Sequence, residues 1–439
     1  MICNMFNRTI KEEIISFISD GYNNKPVLVL SGARQTGKTT ILKNILQEKP
    51  HLFLDLETDR SYADRINQFK DFKEFDAWLR DEFSFDPSRQ ILCIDEAQCS
   101  QGLGCFVGAM KEKWPNSNVI ITGSLISELY DSATRRPVGR ETFLNIWPLT
   151  FREFLLALGY DNLVKVMDEF IPGDEISQAN HNRFLDAYDV YLKVGGLPEV
   201  VNYYLQKRDY KKRRNDIFQS YQDDFARYFN HEDISLFMRC LTAVAQNAGS
   251  PSKDSQAVRP NVYGYRKVPS IYGRLEKWKL IIKCDQIGIR PEQNKYHPKR
   301  YLYDVGVLCD LRLRGIETVG VRDLENEHLR APLGGVIENA LALSLRSQFD
   351  EEIFGIQLAG DSEIDFAVKV QDKIYPVECK MSLRFKNNFL FGIQEYLLKR
   401  TREGTGFLFY GGVPLKEKQG MCYVLPYYLV DSFSRWINK

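Results

Sequence analysis

Apolar residues in the first 150 positions alternate between two spacings. Phe6, Ile10, Ile14, Phe17 and Ile18 share one face at helical spacing, which predicts an amphipathic helix over 5–20. Pro26–Gly32 (PVLVLSG) is instead an unbroken apolar run, the pattern of a strand buried on both faces of a parallel sheet. Three further runs read the same way: His51–Leu56, Ile91–Asp95 and Asn118–Ser124. Between them, Lys38–Gln47 and Asp71–Phe83 return to helical spacing, the latter with Phe72, Phe75, Trp78 and Leu79 on one face. Strands alternating with helices predict an α/β fold with a parallel sheet up to about residue 150.

The pattern then changes. Phe151–Tyr204 reads as mostly helical, interrupted at Gly195-Gly196 and Pro198, and charged or amphipathic helices follow over Tyr210–Phe229, Asp233–Asn247 and Ser270–Trp278. Leu280–Cys284 and Arg300–Asp304 read as strands flanking a basic loop, so helices followed by a two-stranded ribbon suggest a winged helix-turn-helix. The remainder reads as helix (Gly334–Gln348), three strands (Glu352–Leu358, Ser362–Val370, Lys373–Lys380), helix (Phe391–Lys399) and strand (Thr405–Tyr410), a second α/β unit.

Length alone gives a prior of roughly three domains for 439 residues. The motifs divide it further, into 1–150, 151–230, 231–315 and 316–439. Charge nearly cancels, since 59 Lys+Arg against 58 Asp+Glu leaves +1. That excludes a globally basic coat or an acidic tail and leaves a local basic face open. The opening residues are not a charged stretch before an apolar run, and no apolar stretch approaches a membrane span. The nine cysteines are scattered with no CxxC pair, which fits reduced thiols and a cytoplasmic protein. Cys93, Cys99 and Cys105 are six apart, whereas structural zinc usually pairs ligands two to four apart.

Candidate chemistry concentrates after the first strand. Gly32, Ala33, Arg34, Gln35, Thr36, Gly37, Lys38 and Thr39 satisfy GxxxxGK[ST], with a strand before and a helix after; Thr40 extends the cradle. The glycines let backbone N–H groups turn towards phosphate oxygens, and the following helix adds its positive end. Lys38 is then placed for the β- and γ-phosphates of ATP, and Thr39 for Mg²⁺. Asp95 and Glu96 end the strand ILCID, so Asp95 can hold the Mg²⁺ shell while Glu96 polarises a water. The bland alternative is that these acids cap the next helix. Thr122 and Ser124 end another strand, where a hydroxyl can bond the γ-phosphate or the water; a plain turn around Gly123 is the alternative. Arg140 is either a surface arginine or an arginine finger, which is worth ~10³–10⁵ in rate.

With GARQTGKTT, LCIDEAQ, IITGS, GRETFLNIWPLTFREFL and YLKVGGLPEVV in place, the whole chain resembles the bacterial and archaeal AAA+ ATPases that end in an uncharacterised restriction-endonuclease-like domain. The resemblance implies an AAA+ P-loop parallel sheet, a helical lid, a winged helix-turn-helix and that C-terminal α/β domain. It implies nucleotide binding by Lys38 and Thr39, a Walker B pair in Asp95 and Glu96, and a sensor position at Ser124. It leaves the role of Arg140, within one chain or across an oligomer, open.

A second candidate site lies in the last unit, in GGVIENAL, SEIDFAV and YPVECKM. Glu378 and Lys380 are two apart on one strand and face the same way. Together with Asp365 and the helical Glu338 they can hold a second divalent metal and position a water, the arrangement of PD-(D/E)XK nucleases; Gln394 fits a looser companion position. The alternative is a buried ion-pair cluster in a domain used for binding. Lys207, Arg208 and Lys211–Arg214 form a basic run, most simply a solvated face. Arg266, Lys267, Arg274 and Lys277, with Lys295, His297, Lys299 and Arg300 in the wing and Tyr263, Tyr265 and Tyr272 interleaved, can follow a DNA backbone or dock a protein. The sequence therefore predicts a Mg²⁺-dependent ATPase switch. An ATP-gated nuclease and a nucleotide-switched binding module are the alternatives.

Overall fold

The computed structural model describes residues 6–438 apart from 22–23, 131–138, 229–230, 261, 289–295, 314–319, 350–352, 359–361 and 401–403. The chain forms two compact units: Met1–Trp147 with Lys277–Lys279, and Pro148–Glu276 with Leu280–Lys439. No described helix is long and apolar enough to cross a membrane.

The first unit is built on five parallel strands: β1 (Val27–Ser31), β2 (His51–Asp55), β3 (Ile91–Asp95), β4 (Val119–Gly123) and β5 (Glu141–Asn145). Their order is β2-β3-β4-β1-β5. The three inner strands, β1, β3 and β4, are buried at every position, which is why their sequences carry no polar alternation. The edge strand β5 reads ETFLN, and its weak pattern leaves it invisible to a search for apolar runs. Helices Ile10–Ser19 and Lys38–Leu46 cover one face, packing Ile14, Ile41 and Leu42 on Leu28, Leu30 and Ile120. Helices Phe72–Phe83 and Leu103–Lys113 cover the other with Phe75, Trp78, Phe106 and Met110. Because all five strands are parallel, their C-terminal ends share one edge, the usual place for a ligand in such sheets.

The second unit opens with helices Phe151–Ala157, Asp161–Glu169, Gln178–Val194 and Pro198–Leu205. The PLTFREFL segment is a helix start, closed by a reciprocal capping box between Thr150 and Glu153. In GGLPEV, Gly195 adopts φ +83° and a Cβ there would lie 2.4 Å from Asp304 Oδ1. The buried Asp304 carboxylate accepts from Gly196 N at 2.7 Å and from Val307 N at 2.9 Å. Both segments thus have structural work to do. Gly195→Ala should cost more than ~1 kcal/mol, because the left-handed backbone and the steric overlap add. Chemical denaturation of the purified variant checks this, and an unchanged midpoint would contradict it.

A seven-stranded mixed sheet completes this unit, ordered β12-β11-β10-β9-β8-β6-β7. Its strands are β6 (Ile281–Gly288), β7 (Lys299–Leu302), β8 (Phe354–Gln357), β9 (Glu363–Val370), β10 (Lys373–Cys379), β11 (Gly406–Tyr410) and β12 (Cys422–Pro426). Helix Glu327–Gln348 precedes β8, and helix Phe391–Arg400 joins β10 to the parallel β11. The anticipated helix–three strands–helix–strand order is present. The expected two-stranded ribbon is present too, β6 pairing antiparallel with β7, but it is joined to this sheet: β6 also pairs in parallel with β8, and β7 closes the edge with all four residues buried. The expected division between residues 315 and 316 therefore runs through a single sheet.

Candidate active site

The phosphate loop leaves β1 at the shared C-terminal edge. Gln35 (φ +65°) and Gly37 (φ +92°) adopt left-handed backbone there, so the chain turns back before the helix Lys38–Leu46 begins. Gly32 is required by close approach, since a Cβ would meet Ile146 O at 2.3 Å. Lys38 is buried, and its ammonium donates to Gly32 O and Ala33 O, both at 2.9 Å. Burial draws its pKa down, while Glu96 and Asp95 oppose that shift. Thr36 Oγ1 donates to Ala33 O at 2.9 Å, and Arg34 pairs with Glu57 at 2.6 Å.

The acidic pair arrives from β3. Thr39 Oγ1 donates to Asp95 Oδ2 at 2.6 Å, joining residues 56 positions apart. Burial pushes the Asp95 carboxyl up to about 6, against the Thr39 hydrogen bond and with Glu96 and Asp55 adding to the rise. Glu96 is held at φ +49°, an uncommon conformation for a residue with a Cβ. Its Oε2 accepts from Gln98 Nε2 at 2.5 Å, Ser124 N at 3.2 Å and Ser124 Oγ at 3.3 Å. Strand β4 lies between β1 and β3, which carries Ser124 to this position. Lys38, Thr39, Asp95, Glu96 and Ser124 thus gather at one sheet edge.

Two expectations need correction. The Thr122 side chain is fully buried and its hydroxyl has no hydrogen-bond partner among the described residues; it lies inside the sheet beside Leu30 in register. Arg140 lies at the opposite end of the sheet. Its carbonyl accepts from Val27 N at the start of β1, a strand length of ~16 Å from the loop, and its guanidinium pairs with Glu112 at 2.5 Å. Within one chain it does not meet the phosphate loop.

Arg8 is a site residue that pattern reading passed over. It is buried and donates to Thr36 O at 3.0 Å and to Trp147 O at 2.6 Å, tying the loop backbone to the segment after β5. A lone arginine before an amphipathic helix carries no signal of that role. Arg8→Ala should destabilise the first unit by ~1–3 kcal/mol, since two carbonyls lose a charged donor. Thermal unfolding of the variant with and without ATP measures this.

In the second unit Glu338, Asp365 and Glu378 do converge. Cys379 N donates to Asp365 Oδ2 at 2.9 Å and Asp365 N to Glu378 Oε2 at 3.4 Å. Burial pushes the Glu378 carboxyl up to about 8, with Asp365 adding and the ion-paired Lys380 opposing. The cation among these acids comes from β7: Lys299 Nζ meets Glu338, Glu363 and Asp365. Among the described residues, no group of three or more His, Cys, Asp or Glu side chains is placed to hold a metal ion. The Gln394 amide lies beside Gly420.

Several cations expected along a DNA backbone are engaged internally. Lys299 and Arg300 are buried, and Arg300 stacks on the Tyr272 ring and donates to Ser252 O at 3.1 Å. Lys267 pairs with Asp233 at 2.7 Å. In the basic run, Arg214 is buried against Asp310 and Arg213 pairs with Glu199. Lys207, Lys211, Lys212, Arg266 and Lys277 are exposed; Lys295 lies outside the described residues.

Residues 24–155 match the AAA domain family, and residues 185–319 match a domain of unknown function, DUF8612. An uncharacterised protein of Haemophilus influenzae is 24% identical over 289 residues, which span 63% of this chain and 64% of that protein. Among solved structures, a Walker-type ATPase of Pyrococcus abyssi is 17% identical, with a TM-score of 0.43 over 70% of this chain and 96% of its own. The Aeropyrum pernix ORC1 protein, solved in complex with DNA, is 12% identical, with a TM-score of 0.28 over 70% of this chain and 93% of its own. The first unit thus carries its phosphate loop on a five-stranded parallel sheet, and residues 24–155 are similar to the AAA domain.

Proposed function

We propose that this protein binds ATP with Mg²⁺, hydrolyses it, and uses the cycle as a conformational switch. The observation that carries this reading is the 2.6 Å contact between Thr39 and Asp95, which joins the phosphate loop to the acidic strand end. In this reading Lys38 and the loop amides of Gly32–Thr40 hold the phosphates. Thr39 and Asp95 hold Mg²⁺, which supplies charge neutralisation of the phosphates. Glu96 takes a proton from the attacking water, and Ser124 with Gln98 fixes the carboxylate for that task.

The switch follows from competition. Lys38 and Glu96 are bonded to groups of their own chain. Phosphate oxygens compete with the Gly32 and Ala33 carbonyls for the ammonium, and a water competes with Ser124 for the carboxylate. Nucleotide state thereby changes bonds at the ends of β1, β3 and β4. Phosphate release, followed with and without duplex DNA, tests the reading and its effector together. Tight nucleotide retention with no phosphate release under either condition would replace the ATPase with a binding module.

A further inference from the structure

The acidic cluster of the second unit already contains a cation, and it belongs to the chain. Lys299 Nζ lies 3.1 Å from Glu338 Oε1, 2.9 Å from Asp365 Oδ1 and 2.8 Å from Glu363 Oε1. An ammonium has three N–H donors and no acceptor, so three carboxylates use all of them. The Lys299 side chain is 0% exposed, so its ammonium is held by the carboxylates and not by water. Two further donors reach these acids: Tyr301 OH donates to Glu338 Oε1 at 2.7 Å, and Cys379 N donates to Asp365 Oδ2 at 2.9 Å. Glu378 is tied to Lys380, the residue expected to position a water.

Distance argues in the same direction. Mg²⁺ needs oxygens at ~2.0–2.1 Å and Ca²⁺ at ~2.3–2.6 Å. These oxygens stand at ammonium distance, and the ammonium fills the space between them. Lys299 comes from β7, at the far end of the sheet order from β10, so it is brought to the cluster by the fold and not by the nuclease-like motif itself.

We propose that Lys299 stands in for the divalent cation of a nuclease site, so that the natural chain takes up no metal at Glu338, Glu363 and Asp365 and cleaves no phosphodiester there. The cluster instead pins β7, β9 and helix Glu327–Gln348 together. Removing the ammonium leaves the buried Glu338 and Asp365 and the half-buried Glu363 without the cation they share, and a divalent ion can then take its place.

The probe is Mn²⁺ alone, followed by the EPR signal of the free ion, on full-length protein without nucleotide, so the outcome does not depend on the ATPase reading. Wild type, Asp365→Asn and Glu338→Gln should bind the same amount. Lys299→Ala should take up one additional Mn²⁺ at least about tenfold more tightly, and lose it again in Lys299→Ala/Asp365→Asn. One Mn²⁺ bound by wild type and lost in either carboxylate variant would overturn the proposal. So would a folded Lys299→Ala that gains none. Should Lys299→Ala fail to fold, the wild-type titration against the carboxylate variants still decides. DNA cleavage by wild type in Mn²⁺ that Asp365→Asn abolishes overturns it as well.

Discussion

Glu96→Gln should bind ATP with near-wild-type affinity and release phosphate about 10²–10⁴-fold more slowly, the range for loss of a positioned general base. The substitution keeps the shape and the acceptor oxygen that Ser124 N and Ser124 Oγ now address. It removes only the ability to take a proton, so binding and turnover should separate. Single-turnover hydrolysis alongside equilibrium nucleotide binding measures both quantities. Wild-type turnover in this variant would show that Glu96 is not the base, and equal loss of binding and turnover would show that it is structural.

Lys38→Ala should lose most ATP affinity. Truncating one partner of a buried, hydrogen-bonded charge contact typically costs ~2–5 kcal/mol, or roughly 30- to 4000-fold in Kd. The ammonium is already desolvated and bonded to the loop carbonyls, so little reorganisation is needed before it meets phosphate. ATP at 100 times the wild-type Kd should stabilise wild type by about 2.7 kcal/mol and the variant by far less. Thermal unfolding with and without ATP reads this difference and reports at the same time whether the variant is folded. An equal ATP-induced shift in both proteins would remove Lys38 from the site.

The two candidate sites were not equally legible in the sequence. The phosphate loop is eight consecutive residues whose function needs only the strand before and the helix after. Both neighbours announce themselves, in the apolar run of β1 and the spacing of Ile41, Leu42 and Ile45. Asp95 and Glu96 were visible for the same reason, as acids ending an apolar strand. The second cluster was half legible. Glu338, Asp365 and Glu378 are recognisable from their order along the chain, but the cation among them reads as part of a wing for DNA or a protein partner. A lysine in sequence shows its charge and not its partner, and Lys299 lies 39 and 66 residues from Glu338 and Asp365.

Local chemistry thus followed from the chain alone: which segments bury both faces, where the backbone must turn left-handed, and which side chains can meet a phosphate. These depend on neighbours within a few residues, whose sterics and hydrogen bonding are set by their own identities. Strand order and charge pairing were decided by the tertiary structure. The order β2-β3-β4-β1-β5 puts Ser124 on Glu96 and leaves Arg140 at the far end of the sheet. The pairing of β6 with β8 turns an expected wing into a sheet edge and carries Lys299 inward. The physical reason is that a buried charge must find a counter-charge, and where one is found depends on which distant strands pack together.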